Sequence, residues 1–202
     1  MTRIIGGVAR GRTIRTPPGD ATRPTADRVR EALFSSLESR YDTLHDVSVL
    51  DVYAGSGAVG LEAASRGASR VTAIERDRSA SALIRSNARA LDLPQVDVLA
   101  CAASALGGRT PSNPFDVAFL DPPYDVANEE LSAILVGLSS AQWLADAATV
   151  VVERSRRGAP WSWPAGFRGE RERRYGDTVL WYGRWESPHR AVAGEGRPDE
   201  ES

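Results

Sequence analysis

Apolar residues fall in short runs separated by amphipathic stretches along most of the chain. Runs near 47–53, 70–75, 95–100, 115–121 and 148–153 have strand length and are rich in Val, Ile, Leu and Ala. Between them, 57–66, 79–91 and 127–140 carry apolar positions at helical spacing. Strands alternating with helices predict an α/β architecture with a mostly parallel sheet. Two segments break the rhythm. A helix is predicted from Thr25, as its N-cap, to about Glu38, with Val29, Ala32, Leu33 and Leu37 on one face. Near the end, Phe167–Tyr175 and Thr178–Trp185 flank Gly176-Asp177 and predict a closing antiparallel hairpin.

The ends read differently from the middle. Residues 1–22, with Gly6, Gly7, Gly11, Pro17 and Pro18, suggest an irregular or hairpin arm with too few apolar side chains to form a core. A chain beginning at Arg23 is therefore expected to fold. Residues 186–202 are poor in apolar side chains and predict a disordered tail. The 202 residues suit one main domain with an appendage, and 42% hydrophobic residues suffice for a core. No run of about 18 apolar residues occurs, so no membrane span is expected. Met1 leads into a polar, glycine-rich segment without a signal peptide, and a cytoplasmic monomer is expected. Cys101, the one cysteine, excludes an intrachain disulfide, and His45 and His189 are too few and too far apart to suggest a metal.

The net charge of −2 hides an asymmetry. Arg3, Arg10, Arg12, Arg15, Arg23, Arg28 and Arg30 face only Asp20 and Asp27 in the first thirty residues. A second basic stretch holds Arg154, Arg156, Arg157, Arg168, Arg171, Arg173 and Arg174 against Glu170 and Glu172. Each stretch nets +5, and the remainder is acidic. Clustered Arg of this kind attracts phosphates, so both stretches are candidate nucleic-acid surfaces.

Two motifs carry chemistry. The run at 115–121 ends in Asp121-Pro122-Pro123-Tyr124. A residue before proline is held extended, so the Asp121 carboxylate projects beyond the strand. The prolines offer carbonyls without N–H donors, and Tyr124 adds a flat ring. Acceptors plus a ring suit a planar base bearing an exocyclic amino group, whose developing positive charge Asp121 and the Pro122 carbonyl could stabilise. The other motif follows the strand at 47–53: Gly55, Gly57 and Gly60 match G-x-G-x-x-G and open a helix. Glu75, at the end of the next strand, is positioned to accept ribose hydroxyls. Asp51 just before the glycines would repel a pyrophosphate but could hold an ammonium, which favours S-adenosylmethionine over a nicotinamide dinucleotide.

With Arg-Ile-Ile-Gly-Gly-Val-Ala-Arg-Gly-Arg (3–12) and Arg-Pro-Thr-Ala-Asp-Arg-Val-Arg-Glu-Ala-Leu-Phe (23–34), these motifs make the chain resemble the bacterial 16S rRNA guanine-N2 methyltransferases, the small-subunit methyltransferase D family. The resemblance implies a Rossmann-like class I methyltransferase with a seven-stranded, mostly parallel sheet, a C-terminal antiparallel hairpin, and an N-terminal arm and helix. It implies methyl transfer from S-adenosylmethionine to guanine N2, at position 966 of 16S rRNA, in small ribosomal subunit particles. Residues 1–45 would recognise RNA and 46–185 would form the catalytic domain. Asp51, Tyr53, Gly55, Gly57, Glu75, Arg76, Ala102 and Ala103 would contact the cofactor, with Ala102 and Ala103 standing where many methyltransferases use Asp or Asn on the adenine. Asp121, Pro122, Pro123 and Tyr124 would surround the target amino group. Arg3, Arg10, Arg12, Arg15, Arg23, Thr25 and Arg28 would meet the RNA. A DNA adenine-N6 methyltransferase would use the same two motifs, although little chain remains for a DNA-recognition domain.

Overall fold

A computed structural model of the chain describes residues 2–17 and 24–188. Arg23 and the tail from 189 onward lie outside the described residues, as does the Thr25 side chain. The arm forms two short antiparallel strands, β1 (Thr2–Arg3) and β2 (Thr13–Ile14). Helix α1 (Pro24–Tyr41) follows, then β3 (Ser48–Val52), α2 (Ala58–Ser65), β4 (Arg70–Ile74), α3 (Arg78–Leu91) and β5 (Val96–Leu99). A 3-10 turn at Ala103–Gly108 leads to β6 (Phe115–Leu120), α4 (Asn128–Ser140), β7 (Leu144–Ser155), β8 (Phe167–Tyr175) and β9 (Thr178–Trp185).

The main sheet has seven strands in the order β5-β4-β3-β6-β7-β9-β8. Pairing is parallel from β5 to β7, and β9 runs antiparallel to both β7 and β8. This is the mostly parallel sheet expected of the alternating pattern and the Rossmann-like arrangement that the family resemblance implies. Chain order reverses between β3 and β6, which opens a crevice beyond their carboxyl ends, where open α/β sheets bind ligands. Both sequence motifs leave the sheet there.

Two element boundaries differ from the sequence expectation. Helix α1 starts at Pro24, one residue before the expected Thr25 cap, and runs past Glu38 to Tyr41. Proline suits a first helical position because its missing N–H has no partner there in any case. Strand β7 starts at Leu144 rather than 148: Leu144 pairs with Phe115, and a register shift and the left-handed Ala147 (φ 62°) follow before Thr149 pairs with Val117. The polar Asp146 and this irregularity interrupt the apolar run, so only its second half reads as strand.

The arm departs further. Ile4 and Ile14 are 2% and 0% exposed and Ala9 is buried, in one core with Leu33, Phe34, Leu61, Ala64 and Leu91. The arm forms no core of its own, but its few apolar residues complete one supplied by α1, α2 and α3. Glu62 on α2 anchors the backbone. This carboxylate is completely buried and accepts the N–H groups of Ile5 (2.8 Å) and Gly6 (2.7 Å) and the Arg66 Nε–H (2.8 Å). Arg30, also buried, lies 3.6 Å from Glu62 and donates to the Arg3 carbonyl at 2.7 Å. Ser65 Oγ accepts the Ala9 N–H and donates to the Gly6 carbonyl. Arg12 donates to the Ala90 and Leu91 carbonyls at the end of α3, where a cation also suits the helix dipole. No helix among the described residues is long and apolar enough to cross a membrane.

Candidate active site

The glycine turn is fixed by its own hydrogen bonds and by the strands on either side. Tyr53 leaves β3 with a left-handed backbone (φ 64°), and the Ala54 N–H donates to the Ile74 carbonyl at the end of β4. Gly57 is the N-cap of α2 at φ 78°, and a Cβ on it would fall 2.9 Å from the Ile84 side chain of α3, so another residue there would be strained and would have to displace that side chain. Gly55 has φ 55° and open space where a Cβ would stand, so the turn presents bare backbone to the crevice. Glu75 lines the same turn: Oε2 accepts the Gly55 N–H at 2.9 Å and Oε1 accepts the Asp77 N–H at 2.8 Å. Arg76, beside it, is exposed, and Asp77 caps α3 by accepting the Ala80 N–H.

Asp51 is 2% exposed and accepts the Gly60 N–H at 2.8 Å, which ties β3 to the first turn of α2. Burial pushes its carboxyl up to about 7; the Gly60 hydrogen bond opposes this, while the charges of Asp121 and Glu75 add to it. A carboxylate held at this cost beside a bare glycine turn suits a cationic ligand group and disfavours a phosphate. Burial likewise pushes the Tyr53 phenol up to about 12. Ala102 is exposed and begins the 3-10 turn, while Ala103 is buried.

The second motif leaves β6 next to the first. The Asp121 N–H donates to the Val52 carbonyl at 3.4 Å, which sets the residue directly beside the end of β3. Pro122 is buried, and the Pro123 carbonyl accepts the Val126 N–H at 3.1 Å, closing a tight turn. Arg154 on β7 braces that turn from outside by donating to the Val126 carbonyl at 2.8 Å. Tyr124 is 79% exposed, an uncommon state for so large a ring, and it borders a cleft of about 240 Å³ with Arg154, Ser155, Arg157 and Gly158. A ring held out beside a cleft is suited to stacking on a planar ligand.

The crevice therefore brings together Asp51, Tyr53, Gly55, Gly57, Glu75 and Asp121–Tyr124. Arg3, Arg10, Arg15 and Arg28 are exposed on the arm and α1, whereas the Arg12 guanidinium is taken up by α3. Three contributors carried no sequence signal of their role. Glu62 lies inside an apolar helical stretch, Arg154 belongs to a charged run, and Glu153 lies near the end of an ordinary strand. Burial pushes the Glu153 carboxyl up to about 8; Asp121 adds to this, and a hydrogen bond with the Thr178 side chain opposes it. Among the described residues no group of His, Cys, Asp and Glu could hold a metal.

The family model described as Conserved hypothetical protein 95 matches residues 2–184. The chain is 37% identical to Ribosomal RNA small subunit methyltransferase D of Escherichia coli K12, over 88% of this chain and 86% of that protein. Identity to the protein of the same name from Haemophilus influenzae is 36%, over 76% and 79%. The solved structure of yhhF from Escherichia coli superposes with a TM-score of 0.79 at 34% identity, covering 92% of this chain and 98% of that one.

Proposed function

The chain belongs to the Conserved hypothetical protein 95 family, and from that premise we propose that it transfers a methyl group from S-adenosylmethionine to the exocyclic N2 of a guanine in 16S rRNA. The observation that carries this reading is the junction of two turns at the ends of β3 and β6. One is bare glycine backbone flanked by carboxylates, and the other is Asp-Pro-Pro-Tyr. When bound, S-adenosylmethionine supplies an electrophilic methyl group on a sulfonium, together with an ammonium, a ribose and an adenine. Asp51 and the Gly55–Gly57 backbone hold the amino-acid end, Glu75 takes the ribose hydroxyls, and Ala102 and Ala103 border the adenine.

The guanine amino group is a poor nucleophile because its lone pair is delocalised into the ring. Asp121 and the Pro122 carbonyl each accept one N2–H, which turns the lone pair out of the ring plane and opposes that delocalisation. As nitrogen bonds the methyl carbon, the electron pair of the broken carbon–sulfur bond stays on sulfur, and nitrogen becomes cationic. Asp121 stabilises that charge and receives the departing proton before solvent takes it. Tyr124 stacks on the base once it has left its helix. Residues 46–185 carry the chemistry, while residues 1–45 recognise the RNA and bear its phosphates on Arg3, Arg10, Arg15, Arg23 and Arg28, with Thr25 in the first turn of α1. The substrate is a small-subunit particle, assembled or assembling.

The test is transfer of label from S-adenosylmethionine to small-subunit particles lacking the modification, to naked rRNA and to duplex DNA, followed by identification of the methylated nucleoside. N2-methylguanosine in the RNA supports the reading; N6-methyladenine in the duplex would replace it with a DNA methyltransferase. Asp121→Ala should lower turnover on the order of 100-fold while cofactor affinity stays near that of the unmodified protein.

A further inference from the structure

Strands β3, β6 and β7 end side by side, and their register decides which side chains share a face. Asp51 pairs with Phe119 and Phe119 with Val151; on β9, Val151 meets Tyr182 and Glu153 meets Leu180. Side chains alternate along a strand, so Glu153 continues the face of Val151, Leu180 and Tyr182. That face is apolar: Phe119, Val151, Leu180 and Tyr182 lie in one core cluster. Asp121 acts electrostatically on both Asp51 and Glu153, so three carboxylates crown adjacent strand ends beside the reaction centre. Nothing in methyl transfer as derived above uses Glu153. Its neighbours are Asp121 from the end of β6 and the Thr178 hydroxyl from β9. Arg154, next along β7, is turned to the Val126 carbonyl.

We propose that Glu153 reads the target base, its carboxyl accepting the guanine N1–H and donating to O6 while Asp121 holds the adjacent N2 amino group. This deepens the guanine-N2 reading and rests on it. Counted outward from the reacting amino group, guanine offers a donor (N1–H) and then an acceptor (O6). Adenine offers an acceptor (N1) and then a carbon-bound hydrogen, and cytosine offers two acceptors. A neutral carboxyl carries one acceptor oxygen and one O–H donor, which matches guanine alone. An ionised one has no proton for O6 and would stand charged beside Asp121. The half-buried setting against an apolar face, next to a second carboxylate, favours the neutral form and agrees with the upward displacement of its pKa.

The test uses small-subunit particles with either guanine or 2-aminopurine at the target position. The analogue keeps the 2-amino group, lacks O6 and has an acceptor at N1. The unmodified protein should favour guanine in kcat/KM by roughly 10- to 100-fold, the range that a bidentate base contact provides. Glu153→Gln, whose amide has the same donor and acceptor, should keep most of that preference. Its rate on guanine should also stay level where the rate of the unmodified protein falls, as pH rises through about 8 and Glu153 ionises. Glu153→Ala should bind S-adenosylmethionine normally yet lose most of the preference. A full preference in Glu153→Ala would overturn the proposal, as would a Gln variant as indiscriminate as the Ala one. If the unmodified protein transferred no methyl to guanine, the parent reading would fail and this proposal with it.

Discussion

The arm and the closing hairpin region carry the same net charge in sequence and use it differently in the fold. In the arm, the backbone is what the core holds: Glu62, Ser65 and Asn87 bind its N–H and carbonyl groups, and Ile4 and Ile14 are buried. Arg3, Arg10 and Arg15 are left exposed on a fixed support. In the other basic stretch the cations are largely spent locally. Arg157 pairs with Asp177, Arg168 with Glu186 and Arg174 with Glu172, while Arg171 covers the Tyr182 ring at 4.7 Å. Net charge therefore does not measure what a stretch can offer to a phosphate. The lesson is to count cations after subtracting those already engaged, and by that count the arm is the stronger RNA candidate.

The comparison breaks most sharply at Glu62. Glu62→Ala leaves Arg30 and Arg66 with fewer partners in a buried setting and frees the arm backbone, and should cost about 3–5 kcal/mol by denaturant unfolding. Deleting residues 1–17, or Ile14→Ala alone, attacks the same support through packing. The single substitution should cost about 2–4 kcal/mol, and a loss under about 0.5 would return the arm to the status of a loose appendage. Replacing Arg3, Arg10 and Arg15 together with Gln should leave the melting temperature nearly unchanged. The slope of log affinity for particles against log salt should flatten by about two to three, one phosphate contact per arginine. The smallest effect is expected from Arg168→Gln with Arg174→Gln: under about 0.5 kcal/mol in stability, because both pairs are solvent-exposed, and less than one unit in the salt slope. A larger change in slope from this pair than from the arm would reverse the assignment.

The sheet and its hairpin were legible because each strand from β3 to β6 is a short, mainly apolar run rich in Val, Ile, Leu and Phe, and the hairpin is marked by Gly176-Asp177. The crevice was legible through the order of two motifs with strong local chemistry. The arm was not, because Ile4, Ala9 and Ile14 recur at neither the strand nor the helix period and bury themselves against elements far along the chain. Glu62 and Glu153 were missed for a related reason. An acidic residue in an apolar stretch shows its role only once its neighbours are known, three donors and the Arg30 cation for one and a second carboxylate for the other. Thr25 as a cap sets the helix start two residues late, because a hydroxyl is given precedence over the Pro24 that opens the helix.

Ile84 is fully buried, yet it stands 2.9 Å from where a Cβ on Gly57 would be and so sets the contour of the glycine turn from behind. Its volume is thus a means of retuning which donors the protein admits. Ile84→Val should lower stability by about 0.5–1.5 kcal/mol and give the turn room to settle toward α3. That retreat would widen the crevice beside Gly57, making position 84 the place to start in adapting this scaffold to donors that carry a group larger than methyl.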